Sequence, residues 1–331
     1  MKPHRLTLSL LLITALLLCL GLVIGSSNHS LQQLWNDPTG WQILWQIRAP
    51  RSLGTWLVGA LLGLSGAVAQ GLFRNPLADP YLMGCSSGAS LGVVCLLALT
   101  GNSSMAAAVE LRLGLTGVAF LGSVLAVLLT LILARGVEHT LRLLLAGVIV
   151  GVVLGSLASL ITLGVPELLR SVQVFMLGTT GLLGWSAVAI LLPVGLLCLA
   201  VATSAARALD AFSLGEATAI SLGVPVTRIR MLMIACLALS TGAAVAQAGL
   251  IAFVGLLAPH LVRSRVMVTH ASLVLLSALT GGSLLLAADV VARVVIAPQE
   301  LPVGVLTAFL GGAYLLWLMW RKPSASMRGT S

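Results

Sequence analysis

Residues 84–88 carry the spacing of a hydrolase nucleophile. Gly-Cys-Ser-Ser-Gly matches G-x-S-x-G, in which a serine on a strand-to-helix turn attacks a carbonyl carbon. That chemistry needs a preceding strand and a histidine–acid pair, whereas this pentapeptide lies in an apolar segment with no assignable partner. No catalytic residue is therefore predicted. The histidines and five cysteines also lack the spacing of a metal site, so no metal ligand is assigned.

The same region has the composition of an interrupted membrane helix. Residues 74–92 place proline, glycine and serine between two strongly apolar segments. Broken backbone at membrane depth persists only where protein or a water-filled cavity satisfies its N–H and C=O groups. The break therefore indicates either a transport pathway or a tight helix junction. The residues assigned to it are Asn75, Pro76, Pro80, Gly84, Ser86, Ser87 and Gly88.

Composition excludes a soluble protein. The 331 residues are 59% hydrophobic and only 8% charged, against about 25% charged residues in a soluble domain. Since a span needs about 20 apolar residues, the chain has room for roughly ten spans and is predicted to be one transmembrane domain over residues 1–331. The predicted spans are 6–25, 50–72, 82–100, 106–134, 141–163, 186–206, 229–249, 252–262, 272–293 and 303–320.

The basic residues indicate how the chain is oriented. With the N-terminus inside, thirteen of the eighteen Lys and Arg residues fall on the cytoplasmic side. This bias predicts a multi-pass protein of the bacterial cytoplasmic membrane, surrounded by lipid, with both termini in the cytoplasm. The net charge of +9 is scattered over loops, without a basic stripe or an aromatic platform, so nucleic-acid binding is not expected.

Two segments of the chain resemble each other. Residues 67–70 and 244–247 both read Ala-Val-Ala-Gln, 177 residues apart, and a proline-containing break is expected after each, at Asn75-Pro76 and Ala258-Pro259. The copies lie on the second and the seventh predicted spans, with four spans between them, so they must run in opposite directions. This arrangement predicts an inverted repeat, an architecture of transporters. Chance similarity of helices rich in alanine and glycine is the alternative.

The sequence lacks the phosphate loop with which P-loop proteins bind ATP. Lys2 and Lys322 are the only lysines, so the sequence contains no G-x-x-x-x-G-K-[ST] phosphate loop. The longest polar cytoplasmic segment, residues 207–230, is predicted to hold a short amphipathic helix that ends at Gly223-Val-Pro. An ordinary solvated loop is the alternative. Its apolar set is Leu214, Ala217, Ile220 and Leu222.

Several motifs, in order, resemble the permease subunits of the ABC importers for iron–siderophore complexes, haem and cobalamin. They are RAPR at 48–51, the break at 74–92, GLIAFVGLLAPHLVR at 249–263 and ELPVG at 300–304. The resemblance implies an all-α integral membrane protein with the type II ABC importer architecture. It also implies a homodimer with two P-loop ATPase subunits, which carry ATP and Mg²⁺, and an extracytoplasmic substrate-binding protein. The permease chain itself has no cofactor in this family.

The resemblance also implies roles for particular residues. An ATPase-coupling role carries over to Leu214, Gly215, Glu216, Ala217 and Gly223. The outer arginines would face acidic residues on the two lobes of the binding protein, and they are Arg48, Arg51 and Arg293. They look unpaired in a region with little charge, although Arg293 could instead pair with Asp289 one helical turn earlier. The sequence departs from the family at Val268-Thr269-His270-Ala271 and at Gly311-Gly312-Ala313.

The predicted function is the membrane-spanning subunit of an ATP-driven importer for a bulky metal chelate. An iron complex, either a siderophore or haem, is the leading cargo and cobalamin the alternative. An ion-coupled secondary transporter is less favoured, because such proteins keep acids at span centres. Here Asp79, Asp289 and Glu300 lie near breaks or span ends. An intramembrane enzyme would need paired catalytic groups, which the spans lack.

Overall fold

The computed structural model describes residues 3–25, 38–100, 108–136 and 140–321, and most of them are helical. A π-helical turn spans Ile43–Arg48, and 3₁₀ turns span Pro80–Met83 and Pro166–Leu168. In chain order the α-helices in these ranges are α1 (Pro3–Val23), α2 (Pro38–Gln42), α3 (Ala49–Phe73), α4 (Cys85–Thr100), α5 (Ala108–Leu133), α6 (Thr140–Gly164), α7 (Leu169–Leu177), α8 (Trp185–Ser204), α9 (Ala206–Ser213), α10 (Glu216–Ser221), α11 (Val226–Ala248), α12 (Val254–Arg265), α13 (His270–Val294) and α14 (Val303–Arg321).

Each of the ten predicted spans corresponds to one helix, with ends that agree to within three residues. Seven helices of the described chain are long and apolar enough to cross a membrane, and α4 and α14 are shorter apolar helices. Helix α12 has only 12 residues, or roughly 18 Å, against a hydrocarbon core of about 30 Å. It therefore covers only part of the membrane depth. Helix α7 was not predicted, because its nine residues are too short for a span.

Helix α3 is the centre of the bundle. In its apolar stretch 89% of the residues are buried, against 22% in α6. Helix α13 packs antiparallel to α3 at very short range, because glycines replace side chains at the contact. A Cβ on Gly59 would overlap the carbonyl oxygen of Gly281, and one on Gly63 would overlap that of Ser277.

The two ends of the α3–α13 pair serve as landmarks. Where α3 begins, Arg51 meets Asp289 of α13, and this is called the Arg51 end. Where α3 ends, Gly71 lies against His270 of α13, which is bonded to Asp210 of α9; this is called the Asp210 end.

The repeated Ala-Val-Ala-Gln segments lie on α3 and α11, which run in opposite directions. Helix α11 begins near the Asp210 end, where Arg230 pairs with Glu216, and its last carbonyl, that of Ala248, accepts from Thr179 near the Arg51 end. The predicted inversion is therefore seen in the fold.

The position predicted for the second break is wrong. The chain leaves helical geometry at residues 249–253, whereas Pro259 lies inside α12. A proline inside a helix leaves the carbonyl four residues earlier without its usual donor. That carbonyl, on Gly255, abuts Gly66 of α3, where a Cβ would not fit. Helix α12 therefore continues through Pro259, with the Gly255 carbonyl packed closely against α3.

Candidate functional site

The two breaks of the repeat meet each other inside the bundle. The hydroxyl of Tyr81, which follows the first break, donates to the carbonyl of Ile251 in the second at 3.1 Å. The Asp79 carboxylate accepts from the Tyr81 backbone N–H at 2.8 Å and so starts the 3₁₀ turn. Asn75 accepts from the N–H of Leu77 at 2.9 Å. Side chains thus satisfy backbone groups that the break exposes.

Helix α4 restarts in a closely packed environment. Gly84 has φ +80°, a left-handed conformation that side chains disfavour. A Cβ on Gly88 would overlap the carbonyl oxygen of Gly122 on α5. Pro80 is buried against Gly255 of α12, and Pro76 is exposed. These contacts are those of a tight helix junction.

A cavity of about 360 Å³ borders this junction between the break and α6. Ser87 lies on its wall, and the neighbouring Ser86 is half-buried. The polar and small residues of the lining are Asp79, Tyr81, Gly84, Ser87, Gly147 and Gly151. A transport pathway past these residues stays a prediction.

Residues 206–221 form two short helices: α10 is the short helix predicted before Gly223, and α9 precedes it. Gly215 joins them at φ +112°, and Gly223 ends the segment at φ +77° with open space around it. The predicted apolar set faces outward, since Leu214 is 67%, Ile220 59% and Leu222 63% exposed. Ala217 is also exposed. The segment therefore presents an apolar surface that the described residues do not cover.

Glu216 holds this surface in place. Its carboxylate pairs with Arg230 at 3.1 Å, and Arg230 is 4% exposed at the start of α11. The Arg230 guanidinium also lies 6.0 Å from the ring centre of Phe212 in α9. Glu216 is thus a support of α10, in addition to its predicted contact with an ATPase.

The sequence suggested that the arginines at the Arg51 end are unpaired, but each of them has partners in the structure. Asp289, fully buried, accepts from Arg51 at 2.9 Å and from the Thr180 hydroxyl at 2.6 Å. It also pairs with Arg293, as the alternative prediction had it. Arg51 makes a second ion pair with Glu300, at 2.8 Å.

Arg48 and Arg293 have a role that the sequence did not reveal. Arg48 donates to the carbonyls of Leu22 and Val23 at 3.0 and 2.7 Å, and Arg293 donates to that of Gly21 at 2.8 Å. The last carbonyls of α1 have no partner within the helix, so cations stabilise them. With 4% and 1% exposure, Arg48 and Arg293 lie inside this chain. Docking of a binding protein by the three arginines stays a prediction.

The family model described as the FecCD transport family matches residues 11–321, which is most of the chain. The chain belongs to this family.

Curated relatives of this FecCD permease match it over nearly its whole length. The hemin transport system permease protein HmuU of Yersinia pestis is 39% identical over 328 residues, covering 96% of each chain. The vitamin B12 import system permease protein BtuC of Shigella boydii is 39% identical over 315 residues, covering 95% of this chain and 94% of the relative. The chain is therefore a multi-pass permease of an ABC importer.

Solved structures agree with this assignment. An inward-facing conformation of a metal-chelate type ABC transporter matches with a TM-score of 0.87 and 30% identity, over 97% of this chain and all of that one. PsaBC from Streptococcus pneumoniae in complex with Fab matches with a TM-score of 0.55 at 19% identity, over 83% of this chain and 92% of that chain. The second match supports the fold alone.

The FecCD permease has two polar links that sequence reasoning missed. Gln70 donates to the carbonyl of Leu256 at 3.2 Å and accepts from Arg263 at 2.7 Å, so one amide holds both ends of α12. Asp210 accepts from the backbone and the ring of His270. A glutamine inside the apolar α3 was the available signal for the first link, because a buried amide needs partners.

Proposed function

We propose that this chain is the membrane-spanning subunit of a bacterial ABC importer that carries a bulky iron chelate, a siderophore complex or haem. In this proposal the Asp210 end faces the cytoplasm, both termini are cytoplasmic, and the Arg51 end faces outward. The exposed apolar surface of α10 carries the proposal, because Leu214, Ile220 and Leu222 project from a segment that polar contacts hold in place. Large apolar side chains grouped at the surface mark sites of protein interaction.

The partner proposed for this surface is a P-loop ATPase. The chain has no phosphate loop of its own, so ATP would bind on the partner with Mg²⁺. Two nucleotide-binding subunits would sandwich ATP, and each needs a coupling segment. One chain supplies one segment, which supports a complex of two permease chains and two ATPases. The mass of the detergent-solubilised complex tests this, and a fully active complex with one permease chain would refute it.

The coupling surface can be tested without disturbing the fold. We expect Leu222→Asp to reduce ATPase co-purification strongly while the melting temperature stays unchanged, because Leu222 is 63% exposed. Met267→Asp is a matched control, since Met267 is 99% exposed at the same end but lies between α12 and α13, outside residues 206–223. Glu216→Lys is a poorer test than the sequence suggested, because it also breaks the pair with Arg230. Normal ATPase binding by Leu222→Asp would contradict the coupling role.

The Arg51 end is proposed to receive an extracytoplasmic substrate-binding protein. Within the ion cluster, Arg51 and Glu300 have side chains that are 11% and 29% exposed, so they are the groups that a docked protein could reach. Arg48 and Arg293 would contribute indirectly, by fixing α1 beside them. Association rates measured against salt concentration test the role of charge. Rates that do not change with salt would argue against it.

The cargo is proposed from chemistry shared with relatives, and cobalamin is the second candidate. The hemin and vitamin B12 permeases are both 39% identical to this chain, so identity does not separate the two ligands. The deciding experiment is ATP-driven uptake into proteoliposomes of radiolabelled ferric siderophore, haem and cobalamin, each with its binding protein. Uptake of cobalamin alone would overturn the iron assignment. Uptake of all three driven by an ion gradient without ATP would overturn the importer class.

A further inference from the structure

Helix α13 begins with a cap supplied by a different segment. Its own N-cap residue, Thr269, makes no side-chain bond to the helix. Instead the Asp210 carboxylate of α9 accepts the backbone N–H of His270 at 3.0 Å and lies 2.6 Å from the His270 Nδ1. Carboxylates at a helix N-terminus are stabilised by the free N–H groups and by the helix dipole. Asp210 therefore caps α13 from a distance of 60 residues in sequence.

The histidine of this pair also touches the end of α3. A Cβ on Gly71 would come within 3.0 Å of the His270 Nε2, so the ring lies against a position without a side chain. The chain just before His270 is held as well, since Val266 belongs to the same buried cluster as Leu209 and Phe212 of α9. One carboxylate thus joins the coupling segment to both α3 and α13.

Beyond this joint, α3 and α13 form one stiff unit. The two backbones come into direct contact at Gly59, Gly63 and Gly281, because any side chain there would overlap a carbonyl oxygen. At the far end, Asp289 of α13 is bonded to Arg51 of α3. Packed helices of this kind move as a body, since close-packed interfaces resist continuous deformation.

We propose that Asp210 is a positioning residue that transmits movement of the ATPase-docked segment α9–α10 to the α3–α13 unit. The inference rests on the function proposed above. When the docked segment moves, the carboxylate pulls or releases the first turn of α13, and the stiff pair carries that displacement to the Arg51 end. Without the carboxylate, α9–α10 would still dock the ATPase, but hydrolysis would drive the bundle less effectively.

The test uses the intact complex, purified with its ATPase and reconstituted in proteoliposomes with binding protein. Substrate transported per ATP hydrolysed is the readout, because a merely structural defect lowers both rates together. For Asp210→Ala we expect this ratio to fall roughly 5- to 20-fold, within the usual range of coupling between sites. ATPase co-purification should stay at the wild-type level. An unchanged ratio would overturn the proposal.

Three further variants make the result specific. Asp210→Asn keeps an oxygen that accepts the His270 N–H and should restore most of the ratio. His270→Ala keeps the cap on the backbone but loses the ring contact, so an intermediate loss is expected, and it replaces Asp210→Ala if that chain fails to fold. Ser213→Ala is the control on the same helix, since its hydroxyl donates to the backbone carbonyl of Asp210. If Ser213→Ala lowered the substrate transported per ATP as much as Asp210→Ala does, the proposal would be overturned.

The two proposals fail in different ways. A wild-type complex without ATP-driven uptake would reject the importer function before any variant is compared. A wild-type complex that transports, together with an Asp210→Ala complex of unchanged ratio, would reject only the role of Asp210.

Discussion

The two ends of α13 are held by carboxylates in different environments. At the Arg51 end, Asp289 is fully buried and bonded to Arg51, Thr180 and Arg293. At the Asp210 end, the carboxylate of Asp210 remains 39% exposed, and within the described residues it accepts hydrogen bonds from the backbone and the ring of His270. Removing one partner from a buried charge pair leaves a charge without compensation, whereas water can replace a bond at an exposed carboxylate. The contact between α3 and α13 at the Arg51 end is therefore expected to be rigid, whereas the contact between α9 and α13 at the Asp210 end is expected to be adjustable.

Asp289→Ala should have the largest effect on stability. It removes the ion pair that Arg293, 1% exposed, makes with Asp289, and breaks of buried pairs cost about 3–5 kcal/mol. Thermal unfolding of the purified chain in detergent measures the loss, and Glu167→Ala is a control at an exposed carboxylate. A melting temperature equal to that of the control would mean that the ion cluster at the Arg51 end does not hold α3 and α13 together.

The sequence predicted one of the contacts of Asp289, the pair with Arg293, and none of the contacts of Asp210 at the Asp210 end. Arg293 and Asp289 lie four residues apart on one helix, so helical periodicity alone brings them together. Thr180 lies 109 residues from Asp289, and Asp210 lies 60 from His270. Those contacts depend on how the helices pack. Hydropathy predicted the spans well, because a membrane requires long apolar stretches, but it carries no information about which polar groups meet across them.

The anchoring of α1 extends the comparison to a third helix. We expect Arg48→Ala to cost about 1.5–3 kcal/mol, the range for hydrogen bonds from charged groups, because two carbonyls of α1 lose their donor. Arg48→Lys should recover part of the loss, since an ammonium group reaches one carbonyl more readily than two. Thermal unfolding and limited proteolysis near α1 are the measurements. Equal stability of wild type and Arg48→Ala would show that the hydrogen bonds from Arg48 do not help to hold α1.

Asp210→Ala should separate stability from coupling. Loss of a helix cap costs about 0.5–2 kcal/mol, so its melting temperature should fall much less than that of Asp289→Ala. The same variant is expected to show the strongly reduced transport per ATP described above. If the two variants were equally unstable, the Asp210 end would be as rigid as the Arg51 end, and the proposed difference between them would be wrong.

Glu300→Gln should have the smallest effect, although Glu300 belongs to the same ion cluster as Asp289. Its side chain is 29% exposed, and Asp289 continues to hold Arg51 at 2.9 Å when the Glu300 charge is removed. Ion pairs in contact with water contribute about 0.2–1 kcal/mol, and salt screens them. The difference in melting temperature between wild type and Glu300→Gln should therefore be small, and it should shrink as the salt concentration rises.

The combination with Arg51→Gln sharpens this last expectation. Once Arg51 is neutral, the cost of the Glu300 substitution should become smaller, because the pair between Glu300 and Arg51 is already gone. If Glu300→Gln lowered the melting temperature as much as Asp289→Ala does, independently of salt, Glu300 would be held as tightly as the buried Asp289. The rigid contact at the Arg51 end would then include the segment before α14, and that segment could not move aside for a docked binding protein.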